Sequence, residues 1–128
     1  MRLYSVSVAA LAIQMPLKWL DNAISQHSLP EIASARRGVS RRITHSALLH
    51  LALTRELHLG LGLSVRDAIG LARELLSRDG ETDAWRGPVH IICDRIALER
   101  TLSERLRAAL ESAPTPRRGR PPQRSGRK

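Results

Sequence analysis

The seven residues PLKWLDN, numbered 16–22, have the composition of a short amphipathic helix with a packed side and a polar side. The two leucines can pack inward, whereas Lys18 and Asn22 lie one helical turn apart on the polar side. A helix that enters the DNA major groove needs both sides, because lysine can reach phosphate or guanine and an asparagine amide suits adenine. Trp19 can anchor such a helix or contact the DNA backbone. Taken alone, these residues favour an ordinary amphipathic helix.

Glycine and proline divide the rest of the chain into segments with helical or extended patterns. The segment that begins at Thr44 is expected to be a central buried helix, because leucine and alanine cover most of its circumference. The predicted elements are helices over 7–12 and 16–23, a turn at Gly38 between two extended arms, a helix from Thr44 to a break at Gly60, a helix over 64–77, a polar loop over 78–88, a strand over Val89–Cys93 and a helix over 96–112.

Length and composition predict one globular domain followed by a basic tail. The 128 residues include 20 leucines, no phenylalanine, one tyrosine and two tryptophans, so the core must be aliphatic. We expect three parts: a DNA-binding region over 1–77, a strand and helix over 78–113 that would serve as a dimerisation element, and a tail over 114–128. The tail has no apolar side chain apart from proline and is expected to be disordered.

Positive charge is concentrated at the two ends of the chain. Residues 1–45 hold six basic and two acidic groups, residues 46–113 hold nine and ten, and residues 114–128 hold six and none, which together give +9. Segregated arginine of this kind is the footprint of a polyanion-binding protein. One basic tail would fit a solubility tail, but two separate basic segments favour nucleic acid as the partner.

Four arginines, Arg36, Arg37, Arg41 and Arg42, flank the expected turn at Gly38. Arginines on a hairpin beside a reading helix can contact phosphates or enter a narrow minor groove. A solvated basic loop is the alternative, although four arginines in seven residues repel one another unless an anion is present.

The order of these segments resembles the MerR-like winged helix-turn-helix family over about residues 4–77. The family's second helix carries a leucine-arginine-aromatic-aromatic-acid stretch, which residues 17–21 match loosely. Its wing returns through an arginine, a hydrophobic residue and threonine or serine, as in residues 42–44. A leucine-glycine-hydrophobic-serine turn precedes its fourth helix, as in residues 61–64.

The resemblance implies a mainly α fold class, a winged helix-turn-helix with a small β-wing, to which this chain adds a short strand and a C-terminal helix. The chain departs from the family in a shorter first segment and in a wing without the usual aromatic residue. The long coiled-coil helix and the ligand-binding region of the effector-sensing members are also missing, so no small-molecule effector is implied.

The tail contains the sequence PRRGRPP over residues 116–122, which resembles an AT-hook. In a hook of this kind, Arg117, Arg118, Gly119 and Arg120 would lie in the minor groove of A·T-rich DNA, where the narrow groove has a strongly negative potential. A non-specific electrostatic arm is an equal alternative, and both would bind DNA.

The region over 78–113 predicts a homodimer. A stripe of leucines, Leu98, Leu102, Leu106 and Leu110, must be covered, and the strand containing Val89 and Ile91 has no evident partner in its own chain. A dimer would also present two reading helices to two DNA half-sites. The alternative is that the last helix folds back on the helix over 48–57 and covers the stripe within one chain.

Motifs for other chemistry are lacking. The five histidines show no metal-ligand spacing, and Cys93 is expected to be a small buried residue rather than a nucleophile. We therefore expect no enzyme, no catalytic residue, no cofactor and no metal. A single cysteine and the absence of a signal peptide or membrane segment predict a cytoplasmic, nucleoid-associated protein.

Together these patterns predict a double-stranded DNA-binding protein, a bacterial transcription regulator that acts as a homodimer. Two alternatives stay open. One is an architectural or recombination accessory DNA-binding protein, and the other is an antitoxin-like helical subunit whose arginines meet an acidic protein.

Overall fold

Five helices and five strands make up the parts of the chain that the computed structural model describes, which are residues 3–27, 32–33, 42–77 and 82–112. The strands form two small antiparallel sheets, in the orders β1–β3–β2 and β4–β5, so the described chain is mainly helical. In chain order the elements are β1 (Leu3–Ser5), α1 (Val6–Ile13), α2 (Leu17–Gln26), β2 (Ile32–Ala33), β3 (Arg42–Thr44), α3 (His45–Leu61), α4 (Val65–Leu75), β4 (Asp83–Arg86), β5 (Val89–Ile92) and α5 (Arg95–Ser112).

Two strands of the first sheet each lead directly into a helix. β1 ends at Ser5, whose Oγ accepts a hydrogen bond from the backbone N–H three residues later at 3.2 Å, and β3 ends at Thr44, whose Oγ1 does the same at 3.1 Å. These bonds cap α1 and α3. The strands pair antiparallel with Tyr4 opposite Ile43, and both of these side chains are buried. The sequence patterns predict the two helices but not β1.

The connection between α1 and α2 is a tight turn centred on Gln14, which has the left-handed φ of 58°. The N–H of Gln14 donates to the carbonyl of Leu11 at 3.2 Å, and that of Met15 donates to the carbonyl of Ala10 at 3.1 Å. This is the Schellman arrangement that closes many helices, usually with glycine at the left-handed position. The predicted pair of helices is confirmed, with Pro16 immediately before α2 rather than inside it.

α3 is the central helix, as its composition predicts. Nine of its residues are buried, and seven of these belong to two packed apolar clusters. Leu48 and Leu51 pack in a cluster with α1, α2 and α5, whereas Leu53 and Leu57 pack with α4 and β4. One helix therefore joins the two parts of the core.

The prediction of a polar loop over 78–88 is wrong for its last part, because β4 pairs with β5 as an antiparallel hairpin. Gly87 has a φ of +60° and is followed by Pro88, whose ring holds φ near −65°. Glycine at the first position of a two-residue turn is the signature of a type II′ hairpin. β5 therefore has a partner in its own chain, which removes one reason for expecting a dimer.

The leucine stripe of α5 is covered within the chain. Leu102 and Leu106 are only 2% and 6% exposed and belong to the same cluster as α1 and α3, while Leu98 is half-buried against it. α5 packs most extensively on α1, so the first and last helices of the described chain are neighbours. The assignment of Leu102 and Leu106 to a dimer interface is therefore wrong, because their side chains already lie in the core. Leu110 and Val89 are exposed.

Candidate nucleic-acid interface

α2 is the element on which the predicted reading residues lie. Its inner side is fixed by Leu20 and Ala23, which are buried in the cluster that also contains residues of α1, α3 and α5. Lys18 and Asn22 are exposed on the outer side, as their spacing predicts. Asp21 is exposed beside them and was not among the predicted contact residues, although a carboxylate can accept a hydrogen bond from the cytosine amino group. We call Lys18, Asp21 and Asn22 the α2 face.

Trp19 serves as an anchor for α2. Its side chain is half-buried and packs against the core, and its indole Nε1 is buried and has no hydrogen-bond partner among the described residues. The ring lies 6.1 Å from the imidazole of His58 on α3, with 32° between the planes. Because its only donor is enclosed, Trp19 does not offer an N–H to a DNA phosphate, and of its two predicted roles the structure favours the anchor.

His58 connects this anchor to the turn between α3 and α4. Its Nδ1 donates to the carbonyl of Leu63 at 2.6 Å. The turn itself contains Gly62, which has a φ of 76°, and Ser64, whose Oγ accepts from the N–H of Asp67 at 3.1 Å and caps α4. The position of α2 is thus linked through two rings to the backbone of the α3–α4 turn.

Arg42 is the one predicted wing arginine that lies in the described part of the chain. It is exposed, and its backbone stands between Ser5 on β1 and Ala33 on β2. The pairing of β2 with β3 agrees with two extended arms on either side of residues 34–41. The other predicted contacts lie outside the described residues, namely Arg36, Arg37, Arg41, Arg117, Arg118, Gly119 and Arg120.

Charged groups elsewhere do not converge on a metal or reactive site in the described part of the chain. No group of three or more metal-ligating side chains occurs there. The pKa of the Cys93 thiol is raised, first by burial and then by the neighbouring Asp94 carboxylate, while Arg95 acts in the opposite direction. The thiol therefore stays protonated near neutral pH and is a poor nucleophile.

A surface cavity of about 220 Å³ lies between α3, α4 and the start of α5. Arg73 and Arg95 lie in its wall, but Arg95 Nε is 3.4 Å from Glu99 Oε2, and Leu76 and Ser77 place the C-terminal end of α4 there as well. The negative end of a helix dipole opposes an anion, so the two contributions offset each other. Among the described helices, none is both long enough and apolar enough to cross a membrane.

Comparisons with models of protein families, with curated proteins and with solved structures each found no match.

Proposed function

We propose that the protein binds double-stranded DNA as a winged helix-turn-helix protein and regulates transcription. The observation that carries this proposal is the construction of α2. Lys18 and Asn22 lie exposed one turn apart, while Leu20 and Trp19 fasten the helix to the core on its other side. A rigidly held helix with a cation, an amide and a carboxylate on its outer face has the groups that read base edges in a major groove.

A second contribution comes from the antiparallel arms β2 and β3, which flank the arginine-rich segment. Arg42 is exposed at the start of β3, and Arg36, Arg37 and Arg41 lie on the stretch that joins the two arms. In the proposed complex these guanidinium groups hold the phosphate backbone or a narrow minor groove. Residues 17–21, 42–44 and 61–64 are also the stretches in which the sequence resembles the MerR-like family.

The tail over 114–128 strengthens binding without contributing to folding. It adds six basic residues and no acidic ones. Neutralising phosphates releases counterions irrespective of base sequence, so the tail raises affinity for all DNA. Discrimination between sequences is left to α2 and the arms.

Titration of the full chain with random-sequence duplex DNA at several salt concentrations tests the proposal, with fluorescence anisotropy as the readout. Each neutralised phosphate contributes about 0.9 to the slope of log affinity against log salt. We expect a steep slope, because both ends of the chain carry excess cations. Absence of binding at low salt, or a flat slope, would overturn the proposal and favour the helical interaction subunit.

Single substitutions then test where the contacts lie. Lys18→Ala should weaken binding severalfold and reduce the salt slope by about 0.9, since it removes one phosphate or base contact. Arg107→Ala on α5 is the matched control, because it removes one exposed cation from a different helix and should leave both quantities unchanged. Equal effects from the two substitutions would show non-specific attraction and would contradict a role for α2.

Deletion of residues 114–128 tests whether the tail contributes affinity while α2 and the arms discriminate between DNA sequences. The thermal unfolding temperature should not change, and affinity should fall by a similar factor on every sequence. Loss of discrimination with unchanged overall affinity would assign the reading to the tail instead.

A further inference from the structure

The hairpin β4–β5 and the helix turn after it expose large apolar side chains. Trp85, Val89, Ile92 and Ile96 are 59%, 56%, 70% and 72% exposed. Single exposed leucines are normal on a monomer, but several large apolar groups along one short stretch mark an interaction surface. The hairpin also has a strand edge that pairs with no other strand among the described residues, on the side of β5 away from β4.

The open edge is the outer side of β5. The N–H of Cys93 donates to the carbonyl of Thr82 at 2.8 Å, so these residues form a hydrogen-bonded pair. Hydrogen-bonded and non-hydrogen-bonded pairs alternate along an antiparallel ladder. Counting back from Cys93 along the register, the N–H and C=O groups of Ile91 point towards β4. The N–H and C=O groups of His90 and Ile92 point away from β4, along the open edge. Within the described residues β5 is paired with β4 alone.

Nothing in the sequence of β5 protects this edge. Strands at open edges usually carry lysine, another charge or proline that discourages pairing, whereas β5 reads VHII. The one titratable side chain of β5, His90, lies on the solvent-facing face of the two-stranded sheet and not along the strand edge. The ring stacks on Trp85 with centroids 4.2 Å apart, and its Nε2 lies 2.7 Å from Asp83 Oδ2.

We propose that two copies of the chain join through their β5 edges, antiparallel and related by a two-fold axis at Ile91. In this register His90 of each copy lies opposite Ile92 of the other, and the free N–H and C=O groups of both residues satisfy one another in four hydrogen bonds. The two hairpins become one four-stranded sheet in the order β4–β5–β5–β4. Because the operation is two-fold, one surface supplies both sides of the interface.

Three features favour a second copy over an unrelated strand. The free backbone groups are spaced so that the edge complements itself, and a strand without lysine, arginine, aspartate or glutamate places no such charges opposite one another when it meets its own copy. In addition, residues directly opposite one another share a face of the sheet, so Ile92 of one copy packs beside the stacked His90 and Trp85 of the other. The pairing therefore covers apolar groups that one chain leaves exposed.

The inference is independent of DNA binding, since it concerns the hairpin alone. It also differs from a dimer through the α5 leucines, because Leu102 and Leu106 stay in the core. If the proposed function holds, the pairing would place two α2 faces in one particle, as binding to two half-sites requires.

Sedimentation velocity of the full chain with two substitutions at one position tests the edge. His90→Pro removes the outward N–H and leaves the ladder to β4 intact, whereas His90→Ala loses the same ring contacts but keeps the N–H. We expect the unmodified protein and His90→Ala to sediment as dimers at about 50 μM, a concentration suited to a weak dimer. His90→Pro removes two of the four bonds and should raise the dissociation constant at least about tenfold.

Cross-linking tests the register and does not depend on the folding of the proline variant. In a Cys93→Ser background, Ile91→Cys places two thiols at a directly opposed, non-hydrogen-bonded pair with Cα atoms about 4.5 Å apart, within disulfide reach. Ile92→Cys in the same background is the control, because its two copies are diagonal neighbours and lie about 7–8 Å apart. Mild oxidation should therefore link Ile91→Cys and not Ile92→Cys.

Two results would overturn the inference. One is an unmodified protein that sediments as a monomer at the stated concentration. The other is a dimer in which Ile91→Cys fails to cross-link, which would assign the contact to another surface. DNA affinity at a single site is measured separately, so loss of the dimer and loss of DNA binding can be told apart.

Discussion

The α2 face and the β4–β5 hairpin are both exposed, but their chemistry is opposite. The α2 face presents a lysine, an aspartate and an asparagine, whereas the hairpin presents tryptophan, valine and isoleucine. The hairpin lies in the part of the sequence where acidic and basic groups nearly balance, nine basic against ten acidic over 46–113. A net charge of +9 therefore describes the ends of this chain and says little about the partner that its hairpin would accept.

The two surfaces are also supported differently. α2 packs through Leu20 and the half-buried Trp19 on the cluster that also contains residues of α1, α3 and α5. The hairpin rests on backbone pairing and on two inward side chains, Ala84 and Ile91, that reach the second cluster. Substitutions on the exposed parts of either surface should leave folding intact, whereas substitutions beneath α2 or under α5 should not.

The largest effect on the free energy of unfolding is expected from a charge placed beneath α5. A charge placed on the exposed hairpin is the comparison. Leu102→Asp puts a carboxylate at a side chain that is 2% exposed, and we expect a loss of about 4 kcal/mol or more in the free energy of unfolding. Ile92→Asp, on the exposed hairpin, should leave the folded monomer within about 1 kcal/mol of the original. Urea unfolding followed by circular dichroism measures both. A folded monomeric Leu102→Asp would restore the leucine stripe as a dimer contact.

The next largest effect distinguishes the residue that anchors α2 to the core from the residue proposed to contact DNA. Trp19→Ala removes a large half-buried ring and should lower the free energy of unfolding by about 2–3 kcal/mol. Lys18→Ala should change the free energy of unfolding by less than about 0.5 kcal/mol, because the side chain is exposed. Of the two substitutions, Lys18→Ala should nevertheless be the one that weakens DNA binding by the folded protein. Thermal melts and anisotropy on the same samples compare the two. If Trp19→Phe, which keeps a ring without the buried N–H, lost DNA affinity but not stability, the indole would be a contact and not an anchor.

A smaller effect, of the opposite sign, is expected at the turn that sets the angle between α1 and α2. Gln14 has a left-handed φ of 58°, which strains any residue with a β-carbon. Gln14→Gly should therefore stabilise the protein by about 0.5–1 kcal/mol, after the entropy that glycine adds to the unfolded chain. Gln14→Ala keeps the strain and is the matched control, with no gain expected. A gain from alanine as well would mean that the glutamine side chain, and not φ, is the cause.

The smallest effect concerns the thiol that follows β5. Burial raises the pKa of Cys93, so the folded state favours the protonated thiol. Its contribution to stability is present below the usual thiol pKa and is lost as the pH rises through the raised value. The thiol of the native protein should react more slowly with a disulfide reagent at pH 8 than the thiol of the protein unfolded in urea. The ratio of the unfolded rate to the native rate should decrease at higher pH. Equal rates in both states would show that the thiol is not shielded.

Much of the helical framework could be predicted from the sequence, because apolar periodicity reports which side of a helix is packed. The spacing of Lys18 and Asn22 was sufficient to place both on the outer side of α2. The role of Trp19 was not settled by spacing, since a residue at the boundary of the two sides can turn either way. Its position became clear only with the ring of His58, which comes from a distant helix.

The strands were harder to predict for two physical reasons. β1 has three residues, too few to show alternation, and its partner β3 lies about 40 residues away along the chain. The β4–β5 hairpin did have a local signal, namely Gly87 before Pro88, but the polar residues of β4 hid it. The leucine stripe of α5 predicted that something must cover it, although a stripe does not specify whether that surface is α1 or a second chain.

The packing of α5 on α1 has a consequence for the time course of synthesis. About 80 residues separate the end of α1 from the start of α5. At about 5–20 residues per second, a ribosome needs roughly 4 to 16 seconds to make them. Throughout that interval the part of α1 that α5 covers stays exposed, which favours binding by chaperones that recognise apolar segments. The last helix therefore completes the core, and a ribosome that stalls before residue 102 would release a chain that cannot protect its first helix.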